Sequence, residues 1–147
     1  MEIILAYIGI ALLTCGTFVS CAIAVSKSAN AVLGAMKKNP GSFGYYITLA
    51  SLNTSQGLYG FVGFMMVQKF LTPEITMFQG ISILCIGIIM AVSALYTGIK
   101  QAGICANGIK SIGEGHNVFV ATMVLAVIPE FVCILALLVT VLFAGII

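Results

Sequence analysis

VFVATMVLAVIPEFVCILALLVTVLFAGII, Val118 to Ile147, is thirty residues long and carries one charge, Glu130. At 1.5 Å of rise per helical residue, Glu130 lies roughly 18 Å from the start of the segment. A hydrocarbon layer is about 30 Å thick, so the acid falls deep inside it. An ionised carboxylate there costs at least ~2.5–3.5 kcal/mol, which marks it as a functional candidate. Pro129, immediately before it, removes one backbone donor and frees a carbonyl one turn back, loosening the helix beside the acid. The bland alternative is a protonated, hydrogen-bonded Glu130 that glues two helices together.

The rest of the chain agrees with a membrane setting. Of 147 residues, 61% are hydrophobic and 7% charged, which no soluble domain of this size hides. The net charge of +2 is small and scattered, which excludes a nucleic-acid-binding surface. Cys15, Cys21, Cys85, Cys105 and Cys133 all sit in apolar text without CxxC spacing or a nearby His, and read as reduced packing residues. The N-terminal apolar run opens with Met1-Glu2 and lacks a basic leader, so it is expected to be a retained helix.

Four apolar segments are each long enough to cross a bilayer as helices: Ile3–Val25, Ile47–Phe70, Ile75–Ile99 and Val118–Ile147. Two long polar loops are expected, one turning at Asn39-Pro40-Gly41-Ser42 and one at Gly113-Glu114-Gly115; a short one lies around Thr72-Pro73. The chain therefore reads as an all-α membrane protein of two helical hairpins, 1–70 without an acid and 71–147 carrying Glu130. An offset of 76 pairs Leu49 with Leu125, Ala50 with Ala126 and Thr54 with Glu130, the pattern of a duplication. Lys27, Lys37, Lys38, Lys100 and Lys110 belong to the long loops, whereas the short one has Lys69 offset by Glu74. The positive-inside rule places the long loops in the cytoplasm and both termini outside. Lys27 and Lys100 snorkel from helix ends. Glu114 and His116 read as a solvated loop pair.

Small residues recur along the first and third segments: Gly16, Ser20 and Ala24 on one, and Gly80, Gly87, Ala91, Ala94, Gly98 and Ala102 on the other. Such faces let helices approach closely. Two stripes, one per hairpin, suit a ring of many copies lined on its inside by these helices.

The second segment holds a polar patch, LNTSQGLYGF, in which Leu52, Ser55, Gln56 and Tyr59 share one helical face. Gly57 and Gly60 flank them and admit a close neighbour. Residues equidistant from a hairpin turn lie at one depth. Gln101 and Glu130 are symmetric about Gly115-His116, and Ser55–Gln56 lies a similar distance from its own turn. A carboxylate among neutral oxygens is a site for a hard cation such as Na⁺. The Leu52 carbonyl adds an oxygen if a side chain competes for its helical bond. Five convergent oxygens exceed what a proton needs, which favours Na⁺, with H⁺ as the alternative. Interhelical hydrogen bonding is the bland reading of the amides, at about 0.6 kcal/mol each.

These duplicated hairpins, with LNTSQGLYGF, GIKQAG on the third segment and IPE on the fourth, resemble the rotor-ring proteolipids (subunit K, or c) of bacterial and archaeal V-type ATPases. The similarity covers essentially the whole chain, and sodium-translocating members share it best. It implies a homo-oligomeric ring of identical subunits, set in lipid and turned by ATP hydrolysis in a separate cytoplasmic sector. It implies ion ligands at Glu130, Gln56, Ser55, Gln101 and the Leu52 carbonyl, with Tyr59 closing the site as a gate. Ser55 stands where Thr is usual and keeps the hydroxyl; Asn53-Thr54 stands where Pro-Gly or Pro-Glu is common. The partners implied are a stator subunit offering a basic residue and the central stalk, which meets loops bearing Lys37, Lys38 and Lys110. No GxxxxGK[ST] phosphate loop occurs, so the chain is expected to catalyse nothing alone, and no organic cofactor is implied. One rival class is a small four-helix exporter using Glu130 as a proton/substrate switch. The other is a membrane scaffold with Glu130 as glue.

Overall fold

The computed structural model describes all 147 residues. It is entirely helical: α1 (Glu2–Met36), α2 (Phe43–Ser51), α3 (Ser55–Val67), α4 (Met77–Gly113) and α5 (Phe119–Ile146). A 3-10 turn, Leu52–Thr54, joins α2 to α3, and Ser51, Leu52, Thr54 and Ser55 all keep right-handed helical dihedrals. The second segment is therefore one span with a tightened middle. Three helices, α1, α4 and α5, are long and apolar enough to cross a membrane individually. With the α2–α3 span they make the four antiparallel helices the pattern predicts.

The polar stretches expected as long loops are mostly helix. α1 runs 35 residues and α4 runs 37, about 52 and 55 Å, well past the hydrocarbon layer. The cause is packing: Ala31, Val32 and Ala35 of α1 meet Cys105, Ala106, Ile109 and Ile112 of α4 in one buried cluster. Lys27, Lys100 and Lys110 consequently lie on helices, and the turns shrink to the few residues around Asn39–Ser42 and Glu114–Val118. Both turns sit at the same end, where Lys38 Nζ and Glu114 Oε1 pair at 3.0 Å.

α1 and α4 form the central pair, with α2–α3 against α1 and α5 against α4 and α3. The small-residue stripes face each other within one chain. A Cβ at Gly87 would strike the Gly9 backbone, one at Gly9 the Ile83 carbonyl, and one at Gly16 the Ala91 methyl. Ser20 donates to the Ala94 carbonyl across the same seam. Both stripes are thus occupied by intramolecular packing and do not by themselves call for a second copy. Outward, α3 and α5 expose Leu58, Phe61, Val124, Ile128, Phe131 and Leu142, an apolar surface suited to lipid or to other membrane helices. All five cysteines are free.

Gly87→Leu is expected to destabilise the detergent-solubilised protein by at least ~1–3 kcal/mol through overpacking against backbone. Gly34→Ala, where nothing lies within 4 Å, is expected to be neutral or stabilising by about 0.5–1 kcal/mol. Thermal melts of the two variants check both. The Lys38 hydrogen bond and charge hold the exposed Glu114 carboxyl below the usual carboxylate range. Its small contribution is therefore present above that range and lost as pH falls through the lowered value. The melting difference between Glu114→Gln and the parent should accordingly vanish in acid.

Candidate ion site in the middle of the helices

Glu130 is half-buried on α5, one residue after the helix-interior Pro129. Each of its carboxylate oxygens receives one neutral donor. Tyr59 Oη, from α3, donates to Oε1 at 2.8 Å. Gln101 Nε2, from α4, donates to Oε2 at 3.0 Å. Gln101 and Glu130 are thus level, as the symmetry of their hairpin requires. Gln101 Oε1 in turn accepts from Gln56 Nε2. Three helices contribute to one chain of hydrogen bonds, Gln56 to Gln101 to Glu130 to Tyr59, and both glutamines are fully buried.

The direction of this chain follows from chemistry. An ionised carboxylate only accepts, so Gln101 must turn its NH₂ toward Glu130 and its oxygen toward Gln56. Gln56 must then spend its NH₂ on Gln101. Its own Oε1 is left buried without a donor. A buried acceptor in that condition costs about 1–3 kcal/mol. No counter-charge comes from within the chain: its ion pairs are Met1 with Glu2 and Lys38 with Glu114. No group of His, Cys, Asp and Glu could hold a transition metal. The donor set is oxygen only, which fits a hard cation.

Ser55 and Leu52 take a different part from the glutamines. Ser55 Oγ donates to the Leu52 carbonyl at 3.0 Å, and the Ser55 backbone N–H reaches the same oxygen, closing the 3-10 turn. The hydroxyl does compete for that carbonyl as its spacing predicts, yet neither group touches Glu130. The flanking glycines admit α1: Gly60 lies against Thr17 and Gly57 against Cys21. A Cβ at Gly98 of α4 would strike the Ser20 hydroxyl and meet the Gln56 side chain at ordinary contact distance.

One residue escaped the helical-face argument. Asn53 is fully buried, donates to Ser28 Oγ at 2.7 Å and to the Ala50 carbonyl at 3.3 Å, and leaves Oδ1 without a donor. Its place three residues before Gln56 was the available signal. The face through Leu52, Ser55, Gln56 and Tyr59 passed it by.

Tyr59→Phe is expected to make Glu130 react with a hydrophobic carbodiimide about tenfold faster. The carboxyl loses a bond to a charged acceptor worth roughly 1.5–3 kcal/mol, part of which water or Gln101 recovers. Labelling rates of the purified parent and variant check this.

The chain is similar to known membrane proteins. The family model for the ATP synthase C-subunit matches twice, at residues 8–67 and 84–143. The two matches are offset by 76 residues, the shift that superposes Thr54 on Glu130. The V-type sodium ATPase subunit K of Enterococcus hirae is 29% identical over 90 residues, covering 61% of this chain and 58% of that protein. The chain thus spans little more than half the length of that relative. With four antiparallel apolar helices in two repeated hairpins, this multi-pass membrane protein belongs to the ATP synthase C-subunit family.

Proposed function

We propose that this chain is the ion-carrying rotor-ring subunit of a V-type rotary ATPase, and that its cargo is Na⁺. The observation that carries the reading is the carboxylate of Glu130 held by Tyr59 and Gln101, without a basic partner, with Gln101 in turn bound to a Gln56 whose own oxygen has no donor. Such an anion must be neutralised before it faces lipid. Na⁺ does this when Glu130, Gln56, Gln101, Ser55 and the Leu52 carbonyl turn their oxygens to it. The Ser55 hydroxyl leaves the carbonyl for this, and Tyr59 closes the site over the carboxylate. The Enterococcus hirae relative is by name part of a sodium ATPase, which favours the same ion.

In this reading the hairpins 1–70 and 71–147 are the duplicated units, and identical copies close into a ring in the cell membrane. A stator subunit's basic residue displaces the ion and pairs with Glu130, a charge-assisted exchange. ATP hydrolysis in a soluble sector turns the ring through a central stalk seated on the end bearing Lys37, Lys38 and Lys110. That end faces the cytoplasm, and both termini lie outside. The rotor protein itself catalyses nothing.

H⁺ is the second reading, favoured by one specific feature. Tyr59 and Gln101 already give the carboxyl the one or two partners that a proton site needs. The exporter reading has no such support, since the neighbours of Glu130 are amides and a phenol rather than an aromatic cage.

Glu130→Gln is expected to abolish ATP-driven ion uptake while the ring still assembles in detergent; uptake at the parent's rate would remove Glu130 from the mechanism. Na⁺ is expected to protect Glu130 from carbodiimide, and protection should weaken about tenfold in Gln56→Ala or Gln101→Ala. Protection that follows pH alone identifies the cargo as H⁺.

A further inference from the structure

Two buried oxygens in this protein have no hydrogen-bond donor, and they lie three residues apart on one helix: Asn53 Oδ1 and Gln56 Oε1. Both side chains are fully buried. Residues three apart are neighbours on any helix, and the 3-10 turn at Leu52–Thr54 brings them closer to eclipsed. In a low-dielectric interior each acceptor without a donor stays costly.

The identity of the Asn53 oxygen is fixed by its surroundings. Its NH₂ faces the Ala50 carbonyl, which only accepts, and also reaches Ser28 Oγ. Oδ1 is therefore the atom left over. Gln56 has no such anchor. Its NH₂ is held only by Gln101 Oε1. Half a turn about the terminal torsion of Gln56 exchanges its two ends, turning the NH₂ away from Gln101 and the oxygen toward it.

We infer that Asn53 is a positioning residue for the ion site, holding Gln56 in the orientation that presents its oxygen to the cation. The turned state leaves neither oxygen orphaned. Asn53 Oδ1 accepts from Gln56 Nε2, and Gln56 Oε1 faces a positive charge. Gln101 Oε1, released by Gln56, becomes a second carbonyl oxygen for the same ion, while Gln101 Nε2 stays on Glu130. Without the ion, Gln56 turns back to Gln101 and both orphans return. The amide flip thus couples occupancy to a discrete change in the hydrogen bonds between the α2–α3 span and α4. A proton on Glu130 requires no oxygen from Gln56, so Asn53 acts on the cation and not on protonation. The inference rests on the sodium reading.

The test measures carbodiimide labelling of Glu130 in the assembled ring, against Na⁺ at fixed pH and against pH without Na⁺. Asn53→Leu, similar in size but without an acceptor, is expected to raise the Na⁺ needed for half-protection about three- to tenfold, the effect of one buried hydrogen bond. Its labelling midpoint in pH should stay where the parent's is. Asn53→Asp, which keeps an acceptor, and Ser28→Ala, which removes one of the two acceptors of the Asn53 NH₂, should shift the Na⁺ requirement less than about threefold. Unchanged Na⁺ protection in Asn53→Leu overturns the inference and leaves the sodium reading standing. Equal shifts in the Na⁺ and pH titrations, or a Ser28→Ala shift as large as that of Asn53→Leu, reduce Asn53 to helix glue and overturn it too. If the parent shows no Na⁺ protection, the sodium reading falls and takes this with it. Should Asn53→Leu not assemble, the side-chain NH₂ resonances of Gln56 in the parent ring decide: they should move on adding Na⁺, and resonances that stay put overturn the flip.

Discussion

A carboxylate that the chain cannot neutralise from its own resources sets the terms for everything around it. Glu130 has a phenol and an amide for partners and no cation. Neutral donors lower the cost of the charge without cancelling it, and in hydrocarbon the remainder is several kcal/mol. Stability alone would be served better by an apolar side chain at 130. Its presence makes sense if neutralisation comes from outside and is reversible, which is what an ion carrier requires.

Holding such a group in reach of its partners demands rigid, closely spaced helices. The α1–α4 seam supplies this, because glycines at 9, 16 and 87 let the two backbones approach until no Cβ would fit. α4 then presents Gln101 at a fixed level, and Gly60, next to Tyr59 on α3, admits Thr17 of α1. The scaffold and the site use the same device, a missing side chain where a neighbour must come close.

The 3-10 turn at Leu52–Thr54 is the local feature that sets the chemistry on α3. It ties the Ser55 hydroxyl to the Leu52 carbonyl. Two side-chain oxygens of this stretch, Asn53 Oδ1 and Gln56 Oε1, remain without donors.

Sequence by itself determined that the chain is helical and crosses a membrane four times, because apolar runs of span length leave the backbone no other way to satisfy its hydrogen bonds. It also singled out Glu130, since a charge in such text is too costly to be incidental, and it put Gln101 level with it through hairpin symmetry. Tertiary structure alone decided how far α1 and α4 continue: Ala31, Val32 and Ala35 find partners on α4 that no local pattern announces. Only the assembled helices oriented the amides, because which end of Gln56 or Gln101 faces inward depends on atoms contributed by other helices. For the same reason the buried oxygen of Asn53 was invisible in the sequence: a polar side chain has an unmet hydrogen bond only relative to neighbours that the fold has brought to it.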